Sequence, residues 1–115
     1  MSSENTDRLF EYLRSTLYGA EPPSLDLGAL DEEHQKLGMG LVMLNKFLRE
    51  MRAYSHALAT GNLSVIPPKR ENPLCENLKG IHSNLNHLTW QAKQVAKGDY
   101  SQTVSYLGEF SEAFN

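Results

Sequence analysis

Four histidines, one cysteine and one tryptophan are the side chains of this 115-residue chain best suited to ligating a metal, attacking an electrophile or docking a partner. Their spacing offers little chemistry. His82 and His87 are five residues apart, about 140° around a helix, so they cannot share a metal ion. His34 and His56 are isolated, whereas a structural zinc site gathers four close ligands. Both His82 and His87 fall beside the apolar seam described below, at solvated or rim positions. Cys75 has no second cysteine to pair with and no adjacent His or Lys to favour its thiolate, so it reads as a packed helix residue. Trp90 occupies an outward position, where its ring packs on the N-terminal helix or a neighbouring subunit, or docks another domain. There is no Gly-rich phosphate loop, no pair of carboxylates at catalytic spacing and no Ser-His-Asp order. No catalytic residue, cofactor or metal is therefore expected.

The composition narrows the class further. With 40% apolar and 22% charged residues the chain is that of a folded domain and not a disordered one. Its net charge of −3 and the lack of a basic run argue against a nucleic-acid partner. The longest apolar tract, Leu41-Val42-Met43-Leu44, falls far short of the roughly 20 residues that span a bilayer. The opening Met-Ser-Ser-Glu has no signal-peptide pattern. A cytoplasmic location without a membrane span is expected.

Elements that position side chains are easier to read. Leu74, Leu78, Ile81, Leu85, Leu88, Ala92 and Val95 recur in steps of four and three, which predicts a helix over Pro73–Lys97 with a coiled-coil seam. A second helix, Asp31–Thr60, carries Leu37, Leu41, Leu44, Leu48, Met51, Ser55 and Leu58 at the same steps. Asp31, Glu32 and Glu33 suit its positive end, and Gly38 and Gly40 mark a place where it begins, bends or packs closely. A first helix over Thr6–Tyr18 aligns Leu9, Phe10, Leu13 and Leu17, with Asn5 or Thr6 as cap. Pro67-Pro68 forbids helix through the connector, whose Leu63 and Val65 or Ile66 are expected to dock onto the helices. A fourth helix starts near Gly108. The fold class is all-α.

Two helix ends repeat. Ala57-Leu58-Ala59-Thr60-Gly61-Asn62-Leu63-Ser64-Val65 parallels Gln94-Val95-Ala96-Lys97-Gly98-Asp99-Tyr100, continuing to Val104. In each, Gly permits a left-handed turn, Asn or Asp tolerates it, and the next apolar residue pins the connector. At these residues the chain resembles the HAMP domain, the helix-connector-helix relay of bacterial signalling proteins. Val95-Ala96-Lys97-Gly98-Asp99-Tyr100 is similar to the signature that ends that family's first helix. Gly108-Glu109-Phe110 with Phe114-Asn115 fits the spacing of its second, with Phe in place of Leu. Ser105-Tyr106 stand where the family commonly has Asp-Glu. Residues 5–36 occupy the place where most members have a transmembrane helix.

The resemblance implies helix-connector-helix units in a parallel homodimeric four-helix bundle. Residues 1–36 would be an N-terminal helical input segment, 37–97 one HAMP-like module, and 81–115 the start of a second that shares the helix. It further implies a non-catalytic relay, in a two-component or cyclic-di-GMP signalling protein, acting on a C-terminal output domain of the same chain, a histidine kinase or GGDEF diguanylate cyclase. Gly61, Gly98 and Asp99 would set the turns. Leu63, Val65, Tyr100 and Val104 would pin the connectors, and Leu78, Ile81, Leu85, Leu88 and Val95 would form the packing layers. The competing reading is a monomeric partner-binding or histidine-phosphotransfer-like bundle. Lys79-Gly80 resembles the His-x-x-Lys-Gly core of phosphotransfer domains, but Glu76 stands where the phosphorylated histidine belongs, and a carboxylate does not replace an imidazole nucleophile.

Overall fold

A computed structural model describes residues 2–19, 21, 23–99 and 113. Among these the protein is all-helical. Helix α1 covers Ser2–Tyr18, α2 covers Glu32–Ala59 and α3 covers Glu76–Ala96, with 3-10 turns at Leu27–Ala29 and Pro73–Cys75. The expected fourth helix, together with Tyr100 and Val104, lies outside the described residues, apart from a helical Ala113. No described helix is long and apolar enough to cross a membrane. The chain divides into two compact units, residues 1–50 and 51–115.

In the first unit, α1 buries a face different from the one its leucines mark. Asn5, Leu9, Tyr12 and Thr16 are buried, while Phe10 and Leu17 are exposed. The buried Asn5 and Thr16 side chains have each found a partner, which removes the penalty of taking them out of water. Asn5 does not cap α1, which begins earlier. It binds Asp31 reciprocally, donating from Nδ2 to Oδ2 at 2.8 Å and accepting the Asp31 N–H at 3.0 Å, and so fixes the residue that opens α2. Thr16 donates to the Tyr12 carbonyl at 3.0 Å and accepts from Asn45 of α2 at 3.0 Å. Leu25, Leu27 and Leu30 frame a 3-10 turn whose entry is capped by Asp26, which accepts the Gly28 N–H at 3.0 Å. Gly38 faces this turn. A Cβ there would stand 2.8 Å from the ends of both Leu27 and Leu30, so the missing side chain lets the connector lie against α2.

In the second unit, α2 and α3 end in the same way. Gly61, at φ 83°, donates to the Leu58 carbonyl while Asn62 donates to Ala57. Gly98, at φ 98°, donates to Val95 while Asp99 donates to Gln94. These paired bonds form the Schellman motif, in which a left-handed glycine lets the last carbonyls of a helix be satisfied. In the connector, Leu63 and Val65 are half-buried, but Ile66 stays exposed. Helix α3 starts three residues later than its heptad implies. Asn72 instead caps a 3-10 turn, accepting the Leu74 N–H at 3.0 Å, with Pro73 in the first position where a missing donor does no harm.

The glycines give a direct stability test. Gly61→Ala should cost about 1–2 kcal/mol, because L-residues resist the left-handed region. Gly40→Ala should stabilise by about 0.5–1 kcal/mol, since Gly40 lies within α2 and a Cβ there meets nothing within 4 Å. Urea denaturation of the two variants measures both changes and should show opposite signs.

Candidate functional site

The best-organised polar cluster lies in the second unit, where α2, the connector and α3 meet at His82. Its imidazole is only 7% exposed, so the rim position expected for it is wrong. His82 Nε2 lies 2.7 Å from the Leu63 carbonyl and Nδ1 lies 2.7 Å from the Tyr54 hydroxyl. A carbonyl can only accept, so Nε2 carries the proton. In the neutral ring Nδ1 then accepts from Tyr54. The two rings meet edge to face, with centroids 5.5 Å apart. Tyr54 and Cys75 are themselves fully buried. Burial pushes the Tyr54 hydroxyl above its ordinary pKa, and the neighbouring Cys75 thiol adds to the rise. Tyr12 in the first unit is also raised by burial, an effect partly offset by the Arg49 guanidinium.

Sequence periodicity missed His82 because it follows leucine and isoleucine. Yet Cys75, Leu78, His82 and Leu85 also step by three, four and three, sharing Leu78 and Leu85 with the leucine seam and replacing Leu74 and Ile81 by the residue that follows each. The same offset recurs on α2. Gly38 and Asn45 are buried, whereas Leu37 and Leu44, one residue earlier, are 58% and 36% exposed. In and beside α3, Cys75 and His82 are buried, whereas Leu74 and Ile81 are 41% and 49% exposed. Adjacent residues stand about 100° apart on a helix, so over residues 37–45 and 74–82 an inner buried pair lies beside an outer exposed apolar pair, while Met51, Leu58, Leu88 and Val95 further along the outer rows are half-buried.

The residues expected to matter are placed as follows. Leu78 and Leu85 are half-buried between the stripes, Ile81 is exposed on the outer one, and Leu88 and Val95, which continue that row, are half-buried. Gly61 and Gly98 hold the two turns, with Asp99 half-buried after the second. Leu63 meets His82 through its carbonyl. Trp90 is about half exposed, and its nearest described ring is that of His87, with centroids 6.4 Å apart. Ser55 is half-buried and donates back to the Arg52 carbonyl.

Two other constellations carry no ligand assignment. Asp31, Glu33 and His34 bring ligand atoms within 4.8 Å of one another, but in the first turn of α2, where the helix dipole opposes a cation. A cleft of about 520 Å³ in the first unit is lined by Arg8, Glu11, Tyr12 and Asp26. Its charges are already engaged: Arg8 with the Ala29 carbonyl, Glu11 with Arg14, and Asp26 with the Gly28 N–H.

No family model, curated protein or solved structure matches the chain.

The raised tyrosines set an alkaline limit. A hydroxyl whose folded pKa lies above its unfolded value of 10.0 contributes stability that is complete below that pH and is lost as pH rises through the folded value. Urea midpoints should therefore fall from about pH 10 upward. Tyr54→Phe should make that decline shallower than in the wild type.

Proposed function

We propose that this chain is a HAMP-like relay and dimerisation module. It would work in the cytoplasm as a non-catalytic part of a bacterial two-component or cyclic-di-GMP signalling protein. The observation that carries the reading is the pair of stripes on α2 and α3. An outer row of large apolar side chains at seven-residue spacing, Leu37 with Leu44 and Leu74 with Ile81, is what a helix needs to pack against a second copy while its inner row packs at home. The repeated Gly-Asn and Gly-Asp helix ends support a unit used more than once.

The parallel homodimer would bury the outer stripes in a four-helix bundle, and α3 would belong to one unit and begin the next. Signal transfer then needs no chemistry. Two packings of similar energy suffice, and an input that favours one by a few kcal/mol shifts the population. The output would be a histidine kinase or diguanylate cyclase domain C-terminal to the relay in the same chain.

Sedimentation equilibrium tests the reading. The wild-type chain should be a dimer, and Ile81→Lys should shift it toward monomer while circular dichroism reports unchanged helicity. A wild type that stays monomeric at high concentration contradicts the dimeric relay and favours a monomeric partner-binding bundle. Phosphate transfer to the chain from a response regulator would favour the phosphotransfer alternative.

A further inference from the structure

We infer that His82 is a latch that fastens the second connector to its helix pair, and that its two hydrogen bonds make connector docking depend on the alignment of α3 with α2. The imidazole belongs to α3, the Tyr54 hydroxyl to α2 and the Leu63 carbonyl to the connector. One side chain thus ties three elements whose residues are 28 and 19 positions apart. Several other hydrogen bonds of this connector are local. Asn62 accepts from Ser64, and Asn72 donates to Lys69 and accepts from Leu74. These shape the connector locally, whereas the His82 bond to Leu63 joins it to a residue 19 positions away on α3.

The geometry makes the latch sensitive to small displacements. Both bonds are 2.7 Å long, at the short end of the range of about 2.7–3.2 Å that protein N–H···O bonds occupy. An axial slide of α3 by one residue is about 1.5 Å. A displacement of the imidazole by more than about 0.5 Å along either bond, away from its partner, carries that bond past this range. The groups left behind would then be buried and unpaired, so intermediate positions are disfavoured and the element behaves as docked or released. The latch deepens the relay reading, because it supplies a part of the chain that senses helix displacement. It does not need the dimer in order to exist.

Limited trypsin digestion of the whole chain reads connector docking, because Lys69 and Arg70 are exposed within the connector. His82→Asn is too short to reach Leu63. It should raise the rate of cleavage at Lys69 and Arg70 on the order of tenfold, the factor expected when a buried hydrogen bond is lost from a fast local opening equilibrium. In His82→Gln the amide nitrogen takes the place of Nε2 and can still donate to Leu63, so cleavage should stay near the wild-type rate. Circular dichroism on both variants separates latch release from general unfolding. Cleavage of His82→Asn at the wild-type rate overturns the latch, as does equal acceleration in the two variants. Because digestion is read at the connector, a dimer with unaltered cleavage would defeat the latch alone. A monomer with the expected cleavage pattern would keep the latch and defeat the relay dimer.

Discussion

A helix whose buried and uncovered apolar positions lie side by side cannot satisfy both against one partner, and this constraint organises the molecule. On α2, Gly38 and Asn45 face inward, while Leu37 and Leu44 are turned about 100° away. Cys75 and His82 repeat the arrangement against Leu74 and Ile81. Leu78 and Leu85 form the ridge between the two rows on α3 and are half-buried for that reason. Leu37 with Leu44 and Leu74 with Ile81 are exposed apolar pairs at seven-residue spacing, although Met39, Val42 and Met43 beside the first pair are exposed as well.

Polar side chains join the elements at the positions where partners must be recognised. Asn45 meets Thr16, Asn5 meets Asp31, and His82 meets Tyr54 and Leu63. Leucine on leucine tolerates a slide of one position. A buried hydrogen bond does not, because a slipped donor or acceptor is left without water or partner. These pairs therefore select one alignment from several that apolar packing alone would accept, as single polar residues do in coiled-coil seams. The same feature gives the proposed relay its discreteness: a register is either bonded or lost.

The parts of the fold governed by local chemistry were legible in the sequence. Helix existence followed from apolar periodicity, and Gly61 and Gly98 were recognisable because a left-handed turn after a helix excludes most other residues. The orientation of the helices was not legible. Leucine spacing marked the row containing Leu74 and Ile81, but the chain buries the neighbouring row with His82. Histidine, asparagine and threonine give no hint of burial until their partners are known, and those partners lie 26 to 29 residues away. The start of α3 was misplaced for a similar reason. Proline at position 73 fits the first turn of an α-helix and of a 3-10 turn equally well, and the Asn72 cap decides between them.

Cysteine cross-linking at the outer stripe tests the central claim most directly. In a chain carrying Cys75→Ala, the thiol of Ile81→Cys would face its symmetry mate across a parallel two-fold interface, within the roughly 4.4–6.8 Å Cα separation that a disulfide spans. Asn86→Cys is the control, because it is exposed and stands about 140° around α3 from position 81. Mild oxidation should convert the Ile81→Cys chain to a covalent dimer and leave the Asn86→Cys chain monomeric on a non-reducing gel. Equal cross-linking at the two positions, or none at position 81, would contradict the account.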